Sequence, residues 1–147
     1  MRLRKPFNMT RPRFHLAFPV RDLHEARGFY VGLLGCREGR STDEWVDFDF
    51  FGHQIVAHLS PGEAADKAHN RVDGEAVPVR HFGVILSLPE WRQIAGKLRE
   101  LGVRFLIEPT VRFRGQAGEQ ATMFFADPSG NAVEIKAFAD DAMVFAQ

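Results

Sequence analysis

Phe14-His15-Leu16-Ala17-Phe18-Pro19-Val20-Arg21-Asp22-Leu23-His24-Glu25 is the stretch that decides how this chain is read. It opens as a short apolar strand headed by a histidine. Asp22 and Glu25 then have the spacing of a capping box at a helix start. Leu23, Ala26, Tyr30, Leu33 and Leu34 recur on one helical face, and Gly35 follows as the stop. The second half returns to the same grammar. His81-Phe82-Gly83-Val84-Ile85 leads into Ser87-Leu88-Pro89-Glu90, again a capping spacing with proline in the first turn. Trp91, Ile94, Ala95, Leu98 and Leu101 make the apolar face, and Gly102 ends it.

Three strands follow each helix. In the first half they fall at about 37–40, 44–51 and 54–59, with Gly52-His53 as a turn. In the second they fall at about 103–108, 120–126 and 131–138, with Asp127-Pro128-Ser129-Gly130 as the last turn. The pattern predicts an α+β fold of two βαβββ modules in one chain, one domain over 1–147, with modules at about 13–60 and 79–138. The joining segment 61–78, rich in Gly, Ala, Asp, Glu and Pro, reads as a mobile linker, with His69 solvated.

The 147 residues suffice for one real core. Apolar residues make 45% and the formal net charge is zero, which speaks against a nucleic-acid binder. The basic residues Arg2, Arg4, Lys5, Arg11 and Arg13 read as a solvated tail. A single cysteine, Cys36, excludes an internal disulfide and reads as an inert structural thiol in a reducing compartment. With no membrane-length apolar run and no signal-peptide core, a cytoplasmic protein with no membrane partner is expected.

Strand parity sorts the polar residues. His15 and Ala17 lie opposite Phe14, Leu16 and Phe18. His81, Gly83 and Ile85 lie opposite Phe82, Val84 and Leu86. Glu134 and Lys136 lie opposite Val133 and Ile135, and His58 shares a face with Gln54 and Val56. Each candidate is thus turned away from the helix-facing set, and Ala17 and Gly83 are expected to leave open volume beside them. Two imidazoles and a carboxylate in strands need partners, and a divalent metal is the simplest shared one. His58 is the rough counterpart of Glu134 in the repeat.

These features resemble the vicinal oxygen chelate superfamily, which includes glyoxalase I, methylmalonyl-CoA epimerase, extradiol dioxygenases and the fosfomycin and bleomycin resistance proteins. The resemblance spans 13–138 and rests most on Phe14 to Gly35 and on Phe124-Phe125-Ala126-Asp127-Pro128-Ser129-Gly130-Asn131-Ala132-Val133-Glu134. Phe50 to Leu59 and Gly115 to Phe125 look like a bacterial subgroup of predicted extradiol-type dioxygenases. The resemblance implies mixed sheets curled around a metal-binding cup, with His15, His58, His81 and Glu134 at the ligand positions. Family members are often homodimers, some with sites built across chains. With both modules in one chain, a cup can close within the chain if the modules pair.

Two histidines and a carboxylate suit Fe(II) oxygen chemistry. The implied function is therefore ring cleavage of a vicinal-diol or catecholic substrate with O2. A fourth ligand, His58, would instead favour Mn, Ni, Co or Zn in glyoxalase-like isomerase, lyase or epimerase chemistry. Small-molecule binding in a resistance protein is the further alternative. In the loop Glu108 to Glu119, which can cover the cup, Arg112 and Arg114 are candidates for an anionic substrate group. His53 is a candidate base, and Tyr30 matches no acid–base role.

Overall fold

Burial follows the alternation read in the opening stretch. In the computed structural model, which describes residues 11–63, 69–72 and 75–147, β1 (His15–Val20) buries Phe18 and Val20 and exposes His15 and Ala17. Arg2, Arg4, Lys5 and the side chain of His69 lie outside the described residues.

Asp22 caps α1 (Leu23–Arg27) by accepting from the Glu25 amide at 2.7 Å. The Glu25 carboxylate turns to Arg21 instead, at 2.8 Å and 3.0 Å. The helix then widens into a π-helix over Gly28–Leu33, with the Leu34 amide bonding the Phe29 carbonyl at 3.0 Å. The extra residue in that turn brings neighbouring Phe29 and Tyr30 into the core together. Gly35 ends the segment at φ +75°, a conformation glycine adopts without a Cβ clash.

The first sheet is completed by β2 (Arg37–Ser41), β3 (Trp45–Phe50) and β4 (His53–Leu59), in the order β1-β4-β3-β2, with β1 and β4 parallel. The β3–β4 turn is Phe51-Gly52, both at positive φ. His53, expected in the turn, already belongs to β4, which starts one residue earlier than expected. The joining segment holds a two-stranded hairpin, β5 (His69–Val72) and β6 (Glu75–Pro78). Val77 of that hairpin packs with Ile107 and Phe124.

The second half gives β7 (His81–Ile85), α2 (Leu88–Glu100), β8 (Phe105–Arg112), β9 (Gln120–Ala126) and β10 (Ala132–Phe138). Its sheet has the order β7-β10-β9-β8, with β7 and β10 parallel, and so repeats the first. Ser87 caps α2, and the Trp91 indole donates to the Ile135 carbonyl at 2.9 Å.

The helix-facing sides of both sheets share one core, from Phe18, Tyr30 and Phe48 to Trp91, Phe125 and Ile135. Phe18 meets Phe82 at 5.2 Å and Phe29 meets Phe125 at 5.9 Å. Tyr30 donates to Asp127 at 2.8 Å, Asn131 Nδ2 to the Pro19 carbonyl at 2.9 Å, and the Arg21 amide to Ser129 at 2.9 Å.

These ties set the C-terminal half of β1 beside the start of β7. His81 therefore sits at this junction, whereas His15 opens β1 away from it. His15 lies four residues from Pro19 in β1, roughly 13 Å along an extended chain. The two sheets stay separate and do not close into one cup. The expected cup within the chain is corrected accordingly: the modules share a core through their helix-facing sides, which turns the histidine-bearing faces outward.

Candidate functional site

On the outward face of the second sheet, Gly83, Glu134 and Phe124 lie in one cross-strand row, and Lys136 pairs with Thr122 in the next. Paired residues share a face, so His81, Glu134, Thr122 and Phe124 belong together. Thr122 donates to Glu134 Oε2 at 2.5 Å, and His81 Nε2 stands 3.3 Å from Glu134 Oε1. His81 packs edge-on against Phe124, with ring centroids 5.0 Å apart. A groove of about 270 Å³ runs along His81, Gly83, Ile85, Glu134 and Lys136. A second cleft, of about 320 Å³, lies between β1 and β7 and is bordered by Ala17, Pro19, His81 and Asn131.

The tautomer of His81 follows from its other contact. Its Nδ1 is 2.7 Å from the Pro78 carbonyl, which can accept but not donate. Nδ1 therefore carries the hydrogen, and Nε2 presents a lone pair to a carboxylate. Two acceptors that close need a cation between them. A proton serves in its simplest form: the Glu134 hydrogen bond raises the His81 pKa, against burial and with help from the Pro78 carbonyl. Burial pushes Glu134 up, but the hydrogen bonds from His81 and Thr122 outweigh it and hold the carboxyl below its usual value. A divalent metal fits the same donors, since an imidazole fixed through Nδ1 and a hydrogen-bonded carboxylate are how proteins orient metal ligands.

His15 is oriented in the same manner on the other sheet. Its Nδ1 is 2.7 Å from Gln54 Oε1, and Gln54 Nε2 donates to Asp47 Oδ2 at 3.2 Å. Asp47 is 8% exposed, so this chain of contacts starts from a buried carboxylate and ends with His15 Nε2 turned outward. Among the described residues, no three His, Cys, Asp or Glu side chains gather around one point. The structure thus brings His81 to Glu134 and leaves His15 on a separate face.

The expected equivalence of His58 and Glu134 does not hold in the register. Glu134 pairs with Gly83, two residues past His81, whereas the residue paired two past His15 is Val56, opposite Ala17. His58 pairs with Pro19, one further step along the face, and is exposed. Gly83 also differs from expectation. A Cβ there would lie 1.5 Å from the Glu134 carbonyl oxygen, so the missing side chain admits a backbone rather than opening volume. His53 accepts the Phe14 amide on Nδ1 at 2.9 Å and so helps seat β1.

Arg112 is 5% exposed, and its guanidinium lies over Phe124, 5.5 Å from the ring centroid. Arg114 is exposed. Cys36 is buried and its thiol is pushed up to about 11, by burial first and then by Asp49. No helix among the described residues is long and apolar enough to cross a membrane. Thr122, Gln54 and Asp47 are supporting residues that the sequence reading passed over. The signal for Thr122 was its place in the strand preceding the Glu134 turn, where parity admits it to the same face.

Comparison with known proteins agrees with this architecture. Residues 14–135 match the family model of the glyoxalase/bleomycin resistance protein/dioxygenase superfamily. A crystal structure of a glyoxalase/bleomycin resistance protein/dioxygenase from Alicyclobacillus acidocaldarius is 35% identical. The match covers 97% of this chain and 100% of that one, with a TM-score of 0.75. The fosfomycin resistance protein FosX from Listeria monocytogenes is 18% identical over 92% of this chain and 98% of its own, with a TM-score of 0.63, and shares the fold. So does a glyoxalase/dioxygenase from Nostoc punctiforme, 17% identical over 88% and 92%, with a TM-score of 0.64.

Proposed function

Because the chain belongs to the glyoxalase/bleomycin resistance protein/dioxygenase superfamily, we propose that it is a metal-dependent enzyme acting on a small molecule with two adjacent oxygens, by extradiol-type ring cleavage. The observation that carries this reading is Val56 in the row that matches Glu134. Valine cannot ligate, which leaves two imidazoles and one carboxylate as the donor set. That set suits Fe(II) with open positions, whereas Lewis-acid isomerisation by a four-ligand site would call for a donor where Val56 stands.

His81 and Glu134 hold the metal, with His15 supplied by a second copy of the chain. Support for the second copy comes from the outward faces of both sheets and from the placement of His15 away from the junction at which His81 sits. Fe(II) in this place supplies the electronic link between a vicinal diol and O2. The chain's own residues set the stage for it. The Pro78 carbonyl and Gln54 keep both imidazoles with Nε2 forward, and Thr122 fixes one oxygen of Glu134.

The test is anaerobic purification with metal analysis, followed by oxygen uptake over a panel of catechols. Bound iron and catechol-dependent uptake, both lost in His81→Ala and Glu134→Gln, are the expected results. A protein that holds no metal and gains no stability from Fe(II), Mn(II), Ni(II) or Zn(II) overturns the enzyme reading. Metal-dependent turnover without oxygen consumption overturns ring cleavage in favour of isomerisation.

A further inference from the structure

Lys136 lines the same groove as His81 and Glu134. It follows Glu134 by two residues on β10, so it shares the outward face, roughly 6.6 Å further along the strand. Its cross-strand neighbours are Thr122 and Ile85, neither of them charged. Glu134 is the one carboxylate among the described residues that line the groove. Both its oxygens are engaged, Oε2 by Thr122 and Oε1 by His81. Among the described residues the Lys136 ammonium has no carboxylate partner and lies over the ring of Phe138, 5.7 Å from its centroid. A ring face holds a cation weakly at an accessible site, and an anion displaces it.

Both members of the pair feel the charge of Lys136. The hydrogen bond with Glu134 raises the His81 pKa, and Lys136 pulls it the other way. Burial pushes the Glu134 carboxyl up, and Lys136 joins His81 and Thr122 in holding it down. Once a cation joins His81 to Glu134, be it a proton or a divalent metal, the groove carries a net positive charge. Its volume is about 270 Å³, and exposed Ile85, opposite Lys136, gives it an apolar edge. An ammonium is a compact point charge whose donors turn freely. It suits a single charged oxygen better than the flat edge of a carboxylate. A hydroxyl that has lost its proton, carried on an apolar body, meets both the charge and the edge.

We infer that Lys136 holds the ionised oxygen of the ligand, a phenolate or an enolate, beside the His81–Glu134 pair. The groove then prefers a deprotonated hydroxyl on an apolar body to the same body without charge. That preference rests on Lys136, Ile85 and the groove. The placement of the same oxygen on a metal rests on the function proposed above.

The experiment reads binding, first without metal. In EDTA at neutral pH, pentafluorophenolate and its uncharged methyl ether, pentafluoroanisole, are titrated into the full chain and followed by fluorine NMR. The phenolate should bind about tenfold tighter than the ether, the size of one charge-assisted hydrogen bond. Lys136→Met should erase that preference, and Lys136→Arg should keep most of it. Mn(II) is then titrated into each protein. Removing a positive charge beside a cation strengthens the cation's binding. Lys136→Met should therefore hold Mn(II) more tightly than the native chain while losing the phenolate, a pair of opposite changes that a structural role does not produce.

Equal affinity for phenolate and ether in the native protein overturns the anchor, whether or not the Lys136 variants fold. So does a preference that survives Lys136→Met, and so does a joint loss of phenolate and Mn(II) in both variants. A phenolate preference in a chain that takes up neither Mn(II) nor Fe(II) sustains the anchor and overturns the metal enzyme. Catechol-dependent oxygen uptake with no phenolate preference does the reverse.

Discussion

Single side chains here are held by what stands behind them. His81 and His15 each give Nδ1 to a carbonyl oxygen, one from the backbone of Pro78 and one from Gln54. Removing such a supporting group commonly lowers metal affinity by about 10- to 100-fold. Thr122→Val should therefore weaken Fe(II) or Mn(II) binding by about tenfold or more in a metal titration, with an unchanged far-UV spectrum. His58→Ala should leave the same titration unmoved, since His58 sits one step past the row of Val56. A loss of affinity in His58→Ala would return it to the ligand set.

Cys36 gives a prediction about alkali. Its thiol is raised from 9.0 to about 11 in the folded chain. Below pH 9 the thiol is neutral folded or unfolded, so its burial carries no ionisation penalty. As pH climbs from about 9 to about 11 the unfolded chain ionises first, and stability falls across that window. Cys36→Ala should flatten that part of a urea-denaturation profile against pH. At neutral pH the native thiol should resist iodoacetamide and react on unfolding.

Elements join through their ends as much as through their faces. The turn between β9 and β10 is organised by Asp127, which is 4% exposed. Asp127 accepts from Tyr30 at 2.8 Å, from the Ser129 and Asn131 amides at 2.9 and 2.8 Å, and from Asn131 Nδ2 at 2.9 Å. Asp127→Ala leaves those donors unmatched and should cost about 3 kcal/mol in chemical denaturation. Tyr30→Phe removes one bond and should cost about 1 kcal/mol.

At this scale much was legible. The capping residues Asp22 and Ser87, the stops at Gly35 and Gly102, and the two runs of strands all follow from local chemistry. The π-helix was not, because apolar spacing through Phe29 and Tyr30 fits an α-helix equally well. Nor was the true counterpart of Glu134. Parity identifies the face of a strand, but a two-residue slip preserves parity, and strand pairing alone separates Val56 from His58. The polar supports Asp47 and Thr122 escaped for a related reason. Their worth lies in which neighbour the register hands them, and Asp47 stands opposite Val56 rather than beside any candidate ligand in sequence.

In the proposed site, His15 of one copy joins His81 and Glu134 of another. If two copies complete it, inactive variants should rescue one another. His15→Ala and His81→Ala are each expected to be inactive alone. Mixed, unfolded together and refolded, they should recover oxygen uptake, because one pairing unites an intact His15 with an intact His81 and Glu134. A mixture as silent as its parts would place the whole site in one chain.

Gly83 carries the broadest consequence. The obstacle to any side chain there is the carbonyl of Glu134, a backbone atom that repacking cannot move aside. A saturation library at position 83 should therefore collapse to glycine under selection for folding alone, before any demand for catalysis is made. Its invariance would be uninformative about chemistry. Positions 54 and 122 hold side chains that orient His15 and Glu134, so they are where selection for stability and selection for turnover would part company.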